Sequence, residues 1–128
     1  TMKTSELTGA VLDWAVAKCE GYIDDCNGWL YEATLEEVAD GSYHPSTNWA
    51  QGGPIIEREK LGFWMSANDD HKGEWACATD DWMDLDIDTD EFLNSPMPYH
   101  GVTPLVAAMR CYVASKLGDE VDVPAELH

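Results

Sequence analysis

Apolar positions recur at helical spacing in two places. Leu12, Ala15, Val16 and Cys19 fall at i, i+3, i+4 and i+7 and form one stripe. Thr8 suits the cap of that helix, and Gly21 suits its stop. Near the other end, Thr103-Pro104 reads as a cap followed by a first-turn proline. Leu105, Ala108, Met109 and Tyr112 share a face there, and Gly118 closes the helix. Between these helices the pattern shortens. Trp29-Leu30-Tyr31 reads as extended after an Asn27-Gly28 turn. Gly41 to Gly53 carries the residues of a loop. Pro54 to Lys60 reads as a short helix, with Gly62 beyond its end. Phe63 to Ala67 and Trp75 to Thr79 read as strands around the polar hairpin loop Asn68 to Gly73. Met83 to Thr89 alternates apolar or neutral residues with aspartate, which is the cleanest strand signal in the chain. Asn94 to Pro104 holds three prolines and a glycine and reads as a loop. The sum is a small α+β single domain over residues 2–128. A mostly antiparallel sheet is packed with an N-terminal and a C-terminal helix.

Length and composition agree with one domain. The chain has 128 residues, 45% of them apolar, which is enough for a real core. No apolar run reaches the length of a membrane span, and no apolar signal segment follows Met2, so the expected location is the cytoplasm. Charge changes the picture more. Seven Lys and Arg stand against 25 Asp and Glu, a formal net charge of −18. Small soluble domains commonly carry a net charge of roughly 2–8 in magnitude. Binding of a DNA or RNA backbone over a broad face is therefore disfavoured, as is an anionic membrane surface. Cys19, Cys26, Cys77 and Cys111 form no Cys-x-x-Cys pair. His44, His71, His100 and His128 form no ligand cluster in sequence. Free thiols, no metal and no cofactor are the expectation.

Three features could carry chemistry. Asp84, Asp86, Asp88 and Asp90 would project from one face of the Met83 to Thr89 strand, spaced roughly 6.7 Å apart. That spacing approximates a nucleic-acid backbone, so the row could occupy the basic groove of a host protein. Like charges on a solvated edge strand, which prevent edge-to-edge pairing, are the simpler account. A calcium loop starting at Asp84 fails, with Thr89 where glycine is needed and Ser95 where glutamate is needed.

The second feature is the segment from Tyr43 to Arg58. Gly52 and Gly53 lead into the expected helix start at Pro54, where N–H groups and the helix dipole could hold an anion. Ser46, Thr47, Asn48 and Gln51 offer donors and acceptors, Tyr43 and Trp49 offer flat faces, and Arg58 follows one turn beyond Pro54. Pro54 itself removes one N–H, and the Lys-[Ser/Thr] pair of a P-loop is missing. An ordinary structured loop is the competing reading. The third feature is Arg110, a lone basic residue within the apolar C-terminal helix. Its expected partner is Asp13 or Glu57 in an ion pair, with a ligand anion as the alternative.

Three blocks together resemble a known family. Met2 to Gly9 continues through Leu12-Asp13-Trp14-Ala15-Val16-Ala17-Lys18. Tyr43-His44-Pro45-Ser46-Thr47-Asn48-Trp49 continues through Gln51-Gly52-Gly53-Pro54-Ile55-Ile56-Glu57-Arg58. Thr103 to Glu120 forms the third. In this order they resemble the NinX-like proteins of lambdoid and related phages, and the chain departs from that pattern between Leu61 and Tyr99. The resemblance implies a phage accessory protein acting in the bacterial cytoplasm, and by association of class a role against host defence. It brings no catalytic residues with it.

The leading expectation is a binding protein. It would sequester a small nucleotide-like signalling molecule between the loop (Tyr43, Ser46, Thr47, Asn48, Trp49, Gln51, Gly52, Gly53) and Arg58 or Arg110. A homo-oligomer sharing a pocket would gather more basic residues per site. The alternative is an acidic inhibitor, imitating nucleic acid through Asp84, Asp86, Asp88 and Asp90, that binds a host protein with a basic groove. A hydrolase of a small nucleotide ranks third, because no nucleophile–base spacing stands out.

Overall fold

A computed structural model describes residues 1–22, 32–67, 69–78, 85–86, 91–92 and 98–123. Strand β1 (Met2–Lys3) leads through a single 3-10 turn (Thr4–Glu6) into helix α1 (Gly9–Cys19). Helices α2 (Glu32–Asp40) and α3 (Trp49–Glu59) follow, then strands β2 (Gly62–Met65) and β3 (Trp75–Ala78). Two short strands, β4 (Leu85–Asp86) and β5 (Glu91–Phe92), pair with each other. Strand β6 (Tyr99–Gly101) precedes helix α4 (Pro104–Leu117), and β7 (Glu120–Val121) returns to pair with β1.

The three-stranded sheet runs in the order β2-β3-β6, antiparallel throughout. The architecture is α+β, as the sequence predicts. Helix α4 is its axis. Leu105, Val106, Ala107, Ala108, Met109, Cys111, Tyr112 and Val113 are buried, so both sides of the helix are covered. The sheet covers one side, and α1 and α3 pack on the others. The sequence stripe of Leu105, Ala108, Met109 and Tyr112 is therefore only part of the buried surface. Close approach to the sheet depends on Gly101. A Cβ there would sit 2.7 Å from Ala107 N and 2.8 Å from Val106 Cγ1.

The N-terminal segment is fastened to the far end of α4. Thr4 Oγ1 donates to Gly118 O at 2.6 Å, and Thr4 N donates to Asp119 O at 2.8 Å. The expected caps of α4 hold: Thr103 Oγ1 accepts from Val106 N at 3.1 Å, and Gly118 ends the helix. Helix α1 spans the expected stripe behind Thr8, although the Thr8 side chain makes no cap bond.

Two expectations need correction, and one helix lies where the sequence pattern predicts no element: helix α2. Strand β6 lies inside the proline-rich stretch taken for a loop, paired with β3 through Tyr99, His100 and Gly101. Proline permits this because Pro98 lies before the paired residues, leaving their N–H groups intact. Helix α3 starts at Trp49, well before Pro54, because Asn48 caps it: Asn48 Oδ1 accepts from Ala50 N at 2.8 Å. Gly52 and Gly53 are thus helical, and Pro54 sits inside the helix, leaving the exposed Ala50 carbonyl to solvent. The helix ends on Lys60 in the left-handed region (φ 55°), with Leu61 N donating back to Ile56 O. Of the expected acidic strand, Leu85 and Asp86 are described and are strand, and Asp86 pairs with Glu91. Asp84, Asp88 and Asp90 lie outside the described residues, as do Trp29, Leu30 and Cys26.

Candidate functional site

The segment from Tyr43 to Gly52 folds back on itself and onto α1. Its backbone turn is made by Thr47 N and Asn48 N, both donating to His44 O at 3.0 Å. Gln51 clamps the two ends. Its Oε1 accepts from His44 N at 2.6 Å, and its Nε2 donates to Ser42 O at 2.9 Å. Thr47 Oγ1 makes only a long contact to His44 O at 3.4 Å and faces solvent. Gly52 is the close-packing position: a Cβ would meet Pro45 O at 2.5 Å and Leu105 Cδ2 at 2.7 Å. Its N–H donates to Asn48 O at 2.8 Å. The glycine pair therefore offers no anion cradle at Pro54. Gly52 lets the loop lie against α3 and α4, and a Cβ at Gly53 would meet nothing within 4 Å.

Asp13 ties this block to α1. Its Oδ1 accepts from Ser46 N at 3.0 Å, and both residues are buried. Burial pushes the Asp13 carboxyl above its ordinary range, against the opposing pull of Ser46 and of nearby His44. Two buried polar atoms of the block lack a hydrogen-bond partner among the described residues, Ser46 Oγ and His44 Nδ1. Ser46 Oγ lies near enough to the Asp13 carboxyl to favour its charged form, but the two do not meet in hydrogen-bond geometry. Buried polar groups are nearly always partnered, so each exception asks for a reason.

Tyr43 is half-buried and packs edge-on to Tyr22, with ring centroids 5.9 Å apart. Trp49 is 52% exposed at the first turn of α3. It lies 6.1 Å from the ring of Phe63, which lies 6.0 Å from Trp75. Phe63 and Met65 are also exposed, so an aromatic strip runs from the loop onto β2.

The two arginines do not join this block. Arg58 grips Glu20 with both terminal nitrogens, at 3.1 and 2.6 Å, and Glu59 with Nε at 2.9 Å. Tyr112 OH donates to Glu20 Oε2 at 2.5 Å, and Lys116 lies 3.4 Å from Glu59. This network fastens the ends of α1, α3 and α4. Arg110 pairs with neither Asp13 nor Glu57. Its Nε donates to Leu7 O and its Nη1 to His100 O, both at 2.7 Å. Half-buried, it fastens the N-terminal segment to β6 through carbonyls, and burial lowers its basicity. Next to it, the rings of His71 and His100 stack at 3.7 Å, with His71 Nδ1 2.8 Å from Glu74.

Sequence reasoning did not select Asp13 or His44 as site residues. The signal for Asp13 was there: a carboxylate flanked by Leu12, Trp14, Ala15 and Val16 on a core helix. His44 gave none, because its environment depends on the turn. Cys19, Cys77 and Cys111 are free thiols. Burial holds Cys19 up at about 12, and the contact with Cys111, together with burial, raises Cys77, so neither is an activated nucleophile. Among the described residues no three His, Cys, Asp or Glu side chains gather as metal ligands. Among the described residues no helix is long and apolar enough to cross a membrane.

The family model described as bacteriophage P22 NinX covers residues 3–116. A search of curated proteins finds no match.

Proposed function

The chain belongs to the bacteriophage P22 NinX family, and from that premise we propose that it is a phage accessory protein that acts by binding. Its binding element is the Tyr43 to Gly52 block, and its target is a small nucleotide-like molecule used by the host in defence. One observation carries the reading: His44 Nδ1 is buried within this block with no hydrogen-bond partner among the described residues, and Ser46 Oγ next to the Asp13 carboxyl makes no well-formed hydrogen bond there. Trp49 at its edge adds an exposed ring suited to stacking. The ligand is recognised through its base. Arg58 is held by two carboxylates and Arg110 by two carbonyls, so neither is poised for a phosphate. The test is plating of phage on bacteria that carry a nucleotide-signalling defence. The intact gene restores plaques to a phage lacking it, and Trp49→Ala or Ser46→Ala does not. Equal rescue by both variants refutes the reading.

A second reading rests on the strip of Trp49, Phe63 and Met65 together with the charge of −18. Apolar anchors within an acidic surface suit a host protein with a basic groove. Its signature is an affinity that falls steeply with salt and is lost in Phe63→Ser.

A further inference from the structure

Strand β2 is an outer strand of the β2-β3-β6 sheet, and its bonds to β3 can be assigned residue by residue. Ser66 N donates to Glu74 O at 2.9 Å. The same register sets Met65 opposite Trp75, Trp64 opposite Ala76, Phe63 opposite Cys77 and Gly62 opposite Ala78. Facing residues of an antiparallel pair alternate between those that exchange hydrogen bonds and those that do not. Ser66, Trp64 and Gly62 therefore bond to β3, and Phe63 and Met65 do not. The N–H and C=O groups of Phe63 and Met65 point the other way, along the outer edge. No described strand pairs with that edge. The side chains of the same two residues are open as well, 38% exposed at Phe63 and 52% at Met65. Two residues apart, they stand on one face of the strand, and the Trp49 ring lies 6.1 Å from that of Phe63. Outer strands are normally guarded by a charge, a proline or a bulge. Leu61 to Ala67 holds no charged residue and no proline, and the register runs without a bulge.

We propose that the β2 edge is an interface between two copies of this chain, an inference that does not depend on the capture reading above. Strand β2 of each copy pairs antiparallel with β2 of the other, about a two-fold axis at Trp64. Phe63 then faces Met65 of the second copy, and Met65 faces its Phe63. Both pairs bring outward N–H and C=O groups together, so both exchange hydrogen bonds. The two three-stranded sheets become one. Phe63 and Met65 of both copies meet on one face as cross-strand neighbours. The contact is isologous, so it closes at two copies and leaves no β2 edge open. Charge along the edge selects this occupant. A net charge of −18 sets copies against each other at long range, but the stretch that makes the contact is neutral. Exposed Lys60 bounds it at one end, and exposed Asp69 and Asp70 at the other. Antiparallel pairing sets Lys60 of each copy towards the Asp69-Asp70 turn of the other, which fixes the sense and register of the pair. Parallel pairing would set like ends together.

The experiment is sedimentation of the whole chain over a range of concentration and salt, with amide hydrogen exchange followed by NMR. A dimer is expected to form as concentration rises, and to tighten with added salt because the net repulsion is screened. On dimerisation the Phe63 and Met65 amides are expected to exchange roughly tenfold more slowly, while Trp64, already bonded to β3, keeps its rate. Met65→Pro removes only an outward N–H, which an edge strand tolerates. It is expected to weaken the dimer by roughly tenfold or more with the fold intact by circular dichroism. Met65→Lys, at an exposed position, serves as a second variant should the proline unfold the sheet, with the same loss expected. A parent chain still monomeric at about 1 mM in high salt overturns the proposal. So does a dimer that both variants leave intact. Slowed exchange at Phe63 and Met65 only on adding a peptide that alternates lysine and valine also overturns it, and assigns the edge to a basic partner.

Discussion

Alanine at Gly52 and alanine at Gly53 should behave differently although the two residues are neighbours in one helix. At Gly52 the added carbon would sit 2.5 Å from the Pro45 carbonyl oxygen and 2.7 Å from Leu105 Cδ2. Leu105 can rotate, but a backbone carbonyl can retreat only by moving the loop that Asp13 holds through Ser46 N. Overpacking of this kind costs about 1–3 kcal/mol, and contact with backbone places it at the upper end. Replacing a helical glycine by alanine returns about 1 kcal/mol. The net loss is about 2 kcal/mol, which for a domain of this length lowers Tm by roughly 8 °C. At Gly53 nothing lies within 4 Å of the new carbon. The same helix gain is offset there by the clash of a Cβ with the ring of Pro54. The expected change is within about 3 °C of zero. Thermal unfolding followed by circular dichroism reads both. A Gly52→Ala protein as stable as the parent refutes the close packing, and with it the helical assignment of the glycine pair.

Further outcomes follow from the other contacts. Arg110→Met should cost about 2–3 kcal/mol in urea unfolding, because it leaves the Leu7 and His100 carbonyls without their donor. Arg58→Ala should cost only about 1 kcal/mol, since the side chain is 50% exposed, and ligand capture should survive it. Loss of capture without loss of stability would restore Arg58 to the site. Asp13 has a folded-state pKa raised above its unfolded value. Its favourable contribution is therefore complete below the unfolded carboxyl range and is lost as pH rises through the folded value. Asp13→Asn should then gain stability relative to the parent as pH rises from the acid side towards neutrality. A constant difference across that range contradicts a buried carboxylate.

Legibility of this chain in its sequence follows local physics. Helices α1 and α4 were readable because Leu12, Ala15 and Val16, and Leu105, Ala108 and Met109, repeat within a few residues and carry their own stops. The β2–β3 hairpin was readable for the same reason. Helix α3 was misplaced because its first turn depends on the Asn48 cap and on the tight seat of Gly52 against Pro45, and both outweigh the weak propensity of Gly-Gly-Pro. Strand β6 was hidden because its pairing with β3 is long-range, while its prolines argue locally for a loop. The fate of the arginines was equally non-local. Glu20 is 38 positions from Arg58, and Leu7 is 103 from Arg110. The residue types of the loop were evident from the start. That Asp13 holds Ser46 N–H, and that His44 Nδ1 is buried without a partner among the described residues, emerges only once α1 and the loop are packed together.

Capture of a small molecule is the central claim, and native mass spectrometry of the protein recovered from phage-infected bacteria tests it most directly. The account predicts a non-covalently bound small organic mass on the parent chain and on Arg58→Ala, and its absence from Ser46→Ala and Trp49→Ala. A parent chain that emerges bare from cells with an active nucleotide-signalling defence, or bound only to a basic host protein, contradicts it.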